Sequence, residues 1–115
     1  MIKGKIYSLS KNEHEISMVI SKSHFLREIL LEILDKLEIT DFHKDLIMMN
    51  KEKKEISPIN IFDENYRFEN FEKNFIINII FAKEKIFLIG NLNDSYQKEL
   101  INTISKNYEF YNPHN

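Results

Sequence analysis

The stretch KNFIINIIFAKEKIFLIGN, residues 73–91, constrains this chain more than any other, because so much apolar surface must be covered by something. A membrane-spanning helix needs about 18 or more consecutive apolar residues. Here Lys83, Glu84 and Lys85 interrupt the run after Ala82, and Asn78 lies inside its first half. Two strand-length runs rich in Ile and Phe on either side of KEK predict a β-hairpin instead. No Gly or Asn in the tip dictates a turn type, so the register stays open.

Alternation along Phe75–Ala82 places Phe75, Ile77, Ile79 and Phe81 on one side and Ile76, Asn78, Ile80 and Ala82 on the other. The returning strand offers Ile86 and Leu88 against Phe87 and Ile89. Both sides of the hairpin are therefore apolar, and helices packed on one of them leave the other to be covered. An aromatic segment of the same chain or a second subunit would do this, and Ile76 and Ile80 mark the face in question.

Further elements follow along the chain. Residues 2–9 and 15–20 read as two strands joined by SKNEH. In SHFLREILLEILDKLEI, Leu26, Ile29, Leu30, Ile33, Leu34 and Leu37 share one helical face, with Ser21 or Ser23 as the expected N-cap. Leu31 falls outside that stripe and is a candidate contact for something else. Residues 45–50 read as a short strand, and KEKKE after them as a solvated turn. In NDSYQKELINTIS, Asp94 with Gln97 three residues on has the capping-box pattern, and Leu100, Ile101 and Ile104 form the stripe of a second helix. Tyr108–Tyr111 is a candidate last strand.

This order, β-β-α-β-β-β-α, predicts an α+β domain over residues 1–115 with an antiparallel sheet of about five strands and two helices. One arrangement that fits is the ferredoxin-like plait, built from 15–20, the first helix, 45–50, 85–90, the second helix and 108–111. In element order the chain also resembles longin, roadblock and profilin domains, a resemblance of topology alone that implies a five-stranded sheet. At 115 residues such a domain buries roughly two thirds of its unfolded surface and needs no staple. The absence of cysteine excludes disulfides, thiolate metal sites and a cysteine nucleophile, and suits a cytoplasmic protein. The start MIKGKIYSLSKNEHE lacks the apolar core of a secretory signal and reads as a mature beginning.

With 18 acidic and 16 basic residues the formal charge is −2, which supplies no broad positive field for nucleic acid or anionic lipid. The aromatics of EKNFIINIIFA lack the basic, glycine-containing signature of an RNA-binding strand. Gly4 and Gly90 are the only glycines, so neither a phosphate-cradling loop nor a nucleophile elbow can form. His14, His24, His43 and His114 have no metal-pair spacing. His24, beside Ser23, and His43, near Asp45, are the acid–base candidates, although polar residues at element ends are the simpler reading. The pairs Asp63/Glu64 and Glu69/Glu72 are of a kind that arises by chance in an acid-rich chain.

From Phe62 to Phe71, aromatics recur among acids without a clean period of 2 or 3.6, so Tyr66, Phe68 and Phe71 either cap the core or form a surface clamped by a partner rich in Arg or Lys. The resulting expectation is a non-catalytic protein-binding module without cofactor or metal: a homodimer subunit, adaptor or regulatory inhibitor with no membrane contact. The alternative is a small-molecule sensor or small enzyme with a pocket near His24 and His43.

Overall fold

The computed structural model describes residues 3–41, 47–49, 56–58 and 65–113. The N-terminal hairpin comprises β1 (Gly4–Lys11) and β2 (Glu15–Ser21), and α1 (Arg27–Lys36) follows it. Two short strands, β3 (Ile47–Met49) and β4 (Ile56–Pro58), pair only with each other in a separate antiparallel ladder. The chain then forms β5 (Asn65–Asn70), β6 (Phe75–Phe81), β7 (Lys85–Asn91), α2 (Asp94–Ser105) and β8 (Tyr108–Phe110).

The result is α+β with a six-stranded mixed sheet in the order β5-β6-β7-β2-β1-β8. Three expectations are corrected here. The sheet has six strands, not about five, because residues 65–70 pair with β6 and residues 108–110 add at the opposite edge. It is mixed, not antiparallel, because α2 carries the chain across so that β8 runs parallel to β1. The plait is not formed from the expected set of strands, since residues 47–49 pair with β4 and not with the main sheet.

The predicted hairpin is present, and its register is now defined. Phe81 faces Ile86, Ile79 faces Leu88 and Ile77 faces Gly90. The N–H of Ala82 donates to Lys85 C=O at 2.9 Å, leaving Lys83 and Glu84 as the tip. β7 pairs in turn with β2, setting Ile86, Leu88 and Gly90 beside Ile20, Met18 and Ile16. Every one of these apolar side chains is buried, as are Phe75, Ile77, Ile79 and Phe81.

Both helices lie on that side. Ile29, Leu30, Ile33 and Leu34 of α1 and Leu100 and Ile104 of α2 are buried in the same core. Each such side chain contributes roughly 1.5–3 kcal/mol. Phe25, just before α1, meets Phe81 edge-on at 5.9 Å, and Tyr96 of α2 meets Phe75 at 4.8 Å. A glycine is required at position 4: a Cβ there would sit 2.3 Å from Cε1 of Tyr108, whose buried ring occupies the space.

The helix ends differ from the expected caps. α1 begins at Arg27 after Leu26, which offers no side-chain acceptor; Ser21 precedes, and Ser23 lies within, a turn in which Phe25 N–H donates to Lys22 C=O. α2 is capped by Asn93, whose side chain accepts from Tyr96 N–H at 3.1 Å, and not by Asp94. Gln97 is drawn inward, donating to Asn12 and Leu92 carbonyls at 2.9 and 2.8 Å. The end of α1 is a Schellman turn: Glu38 adopts φ 56°, and the N–H groups of Ile39 and Glu38 donate to Leu34 and Asp35 carbonyls. Asn70 of β5 ties this turn down, its amide donating to Glu38 C=O at 2.9 Å.

Candidate functional site

Because side chains alternate along a strand, burying one face of the hairpin fixes what the opposite face presents. That face carries Ile76, Asn78 and Ile80 from β6, Phe87 and Ile89 from β7, and Ser17 and Val19 from β2. Across the sheet the rows read Asn65, Ile80, Phe87, Val19, Ser8 and Arg67, Asn78, Ile89, Ser17, Ser10. Ile76, Ile80, Phe87 and Val19 are half-buried by their neighbours, and Ile89 is 36% exposed. Both described helices occupy the other side, so among the described residues no helix covers this one.

Its rim carries both signs of charge. Arg67 and Glu69 pair with each other at 2.6 Å on β5, Glu15 lies at the end of β2, and Lys85 opens β7. At the β1 side a bulge between Ile6 and Ser8 releases Tyr7 from the ladder. Its ring lies 5.5 Å from that of Tyr111 and beneath the Lys85 ammonium at 4.8 Å.

The aromatic residues separate. Tyr66 and Phe68 point to the helix side, stack at 6.4 Å and are buried, and Tyr66 meets Phe81 edge-on at 5.6 Å. Phe71 is 75% exposed on the turn between β5 and β6. It borders a groove of about 500 Å³ shared with Glu38, Asp41, Glu69, Glu72 and Lys73. Leu31 is half-buried on α1. The six interaction candidates thus divide: Ile76 and Ile80 share a face, Tyr66 and Phe68 are core, and Phe71 and Leu31 stand apart from both.

Of the acid–base candidates, His24 is half-buried with its ring edge-on to Tyr108 at 5.7 Å, while His43 lies outside the described residues, as do Asp63 and Glu64. Tyr108 donates its hydroxyl to Ser21 C=O at 3.1 Å, and burial raises its phenol above the ordinary value of 10.0. Among the described residues no three His, Asp or Glu side chains converge as metal ligands would. No described helix is long and apolar enough to cross a membrane.

No family model, curated protein or solved structure matches the chain, so its chemistry is argued from its own residues. Sequence reasoning did not single out Val19, which the alternation of β2 places beside Phe87. Nor did it single out Tyr7, which only the bulge exposes.

Proposed function

We propose that the chain is a non-catalytic protein-binding module that works through the helix-free face of its sheet, with a second copy of the chain as the occupant. The observation that carries this is the group of apolar residues Ile76, Ile80, Phe87, Ile89 and Val19 on that face, interrupted on β6 by Asn78. An apolar centre with a polar rim is the anatomy of a protein interface. The choice of a second copy rests on charge. Arg67 and Glu69 neutralise each other, and Glu15 and Lys85, at opposite ends of the β2–β7 ladder, are of opposite sign, so the patch carries no single-sign field that would repel a second copy. Use as an adaptor or inhibitor in the cytoplasm would employ the same face.

Sedimentation equilibrium at about 10–100 μM, bracketing the micromolar affinities of modest interfaces, tests the reading. The wild type is expected to be a dimer and Ile80→Asp a folded monomer. A monomeric wild type whose Ile80→Asp variant unfolds would return this face to the protein's own core. A monomeric wild type whose variant remains folded would remove the second copy as occupant.

A further inference from the structure

At one end of the sheet, the tip of the β6–β7 hairpin, the β2–α1 connection and the bulge of β1 enclose a concavity of about 480 Å³. It is lined by Tyr7, Lys22, Ser23, Phe25, Lys83 and Glu84, and the Lys85 ammonium lies over the Tyr7 ring. Among the described residues, Lys5, Lys11, Lys98, Lys106 and Arg67 each face a carboxylate, whereas Lys22, Lys83 and Lys85, like Lys3, Arg27, Lys36 and Lys73, enter no ion pair. Two of these three instead lie against rings, Lys85 over Tyr7 at 4.8 Å and Lys22 at 6.0 Å from the centre of Phe81. The chain as a whole is slightly acidic, yet Lys22 and Lys83 line this concavity with one carboxylate, Glu84, and Lys85 lies over the Tyr7 ring beside it.

We propose that this concavity binds a small molecule bearing a phosphate group. The net charge of three lysines and Glu84 is matched by a phosphomonoester, which carries about −1.5 to −2 near neutrality. The exposed ring of Tyr7 forms an apolar wall for the organic part, and the volume lies within the usual range of about 300–1,000 Å³ for small-molecule sites. A nucleic acid would need a longer positive track than one end of this sheet provides.

The test is a titration of the isotopically labelled full chain with phenyl phosphate and with inorganic phosphate at constant ionic strength, followed by amide NMR shifts. Saturable shifts centred on Ser23, Lys83 and Glu84 are expected. Phenyl phosphate should bind the more tightly of the two. Lys22→Gln with Lys83→Gln should weaken binding about tenfold or more, while Lys83→Arg retains it. Absence of saturation would overturn the proposal, as would equal weakening by Lys36→Gln with Lys73→Gln at unrelated surface positions. Equal affinity for the two probes would remove the organic part and leave an inorganic anion site. The state of association is read separately by Ile80→Asp, so the two proposals fail independently.

Discussion

Replacing Gly4 by alanine adds one methyl group at the edge of the sheet, and the structure makes that a large perturbation. The new Cβ would lie 2.3 Å from Tyr108 Cε1, 2.5 Å from Cδ1 and 2.9 Å from Cζ, against 3.4–4 Å for ordinary contact. The ring must retreat by more than 1 Å. It has nowhere to go: Tyr108 is 2% exposed, and its hydroxyl is held by Ser21 C=O at 3.1 Å. Overpacking of this kind costs about 1–3 kcal/mol, and a buried hydroxyl pulled from its partner about 1–3 more. If the backbone moved instead, Gly4 N–H would leave Asn107 C=O, a 2.9 Å bond beside the first pairing of β1 with β8. Retreat of the ring thus predicts a loss of about 2–6 kcal/mol, which at about 4 °C per kcal/mol for a chain this long corresponds to a thermal midpoint lower by roughly 8–24 °C. Urea denaturation followed by circular dichroism measures it. The decisive control is the same substitution in a Tyr108→Val background, where no ring remains to be struck and the added cost should fall below about 0.5 kcal/mol. Equal costs in the two backgrounds would refute the steric argument, as would a wild-type-like Gly4→Ala.

Two further expectations concern stability. Leu30→Ala should cost about 2–5 kcal/mol, because Leu30 is buried between helix and sheet, whereas Leu31→Ala, on a half-buried position outside the stripe, should cost well under 1 kcal/mol in the same denaturation assay. Tyr108 predicts a pH dependence with a definite sign. Its phenol is raised by burial above 10.0, so the folded state favours the neutral form, and its contribution is complete below pH 10. Above that pH the unfolded chain loses the proton first, and stability should fall by up to about 1.4 kcal/mol per pH unit from this group. Urea midpoints from pH 8 to 11 should fall less steeply in Tyr108→Phe than in the wild type; parallel slopes would assign the alkaline loss elsewhere.

Local pattern carried much of the fold. The alternation of Phe75–Phe81 and of Ile86–Ile89 gave both strands and their faces, and the 3.6-residue stripe gave the buried side of α1. What escaped it was set by distant partners. In β5, Tyr66, Phe68 and Asn70 point inward, but the third inward position is polar and the next apolar residue, Phe71, is exposed, so the period of two is disguised. Asn70 is buried because it satisfies the carbonyl of Glu38 at the end of α1, a contact between residues 32 apart that no local window contains. Asn93 and Asp94 are both good caps, and only the chain's path through Leu92, which is buried, decides between them. The parallel pairing of β8 depends on where α2 delivers the chain. For the candidate surfaces, the apolar face was legible from alternation, whereas the lysine-lined concavity joins residues 7, 22 and 83 and exists only after folding.

The two sides of β7 show why apolar residues on the helix-free face do not duplicate the core. Ile86 and Leu88 have no exposed surface and lie among residues from β2, β6 and the helices, so shortening either leaves a cavity. Phe87 and Ile89, one residue away and of the same chemical kind, gain only the partial cover of cross-strand neighbours such as Ile80, Asn78, Val19 and Ser17. A cross-strand pair contributes about 0.2–1 kcal/mol, several-fold less than a fully buried side chain. Polar substitution on this side therefore removes little from the fold, while it places a desolvated charge in any interface formed there, a penalty of several kcal/mol. That asymmetry is what allows Ile80→Asp to separate association from folding.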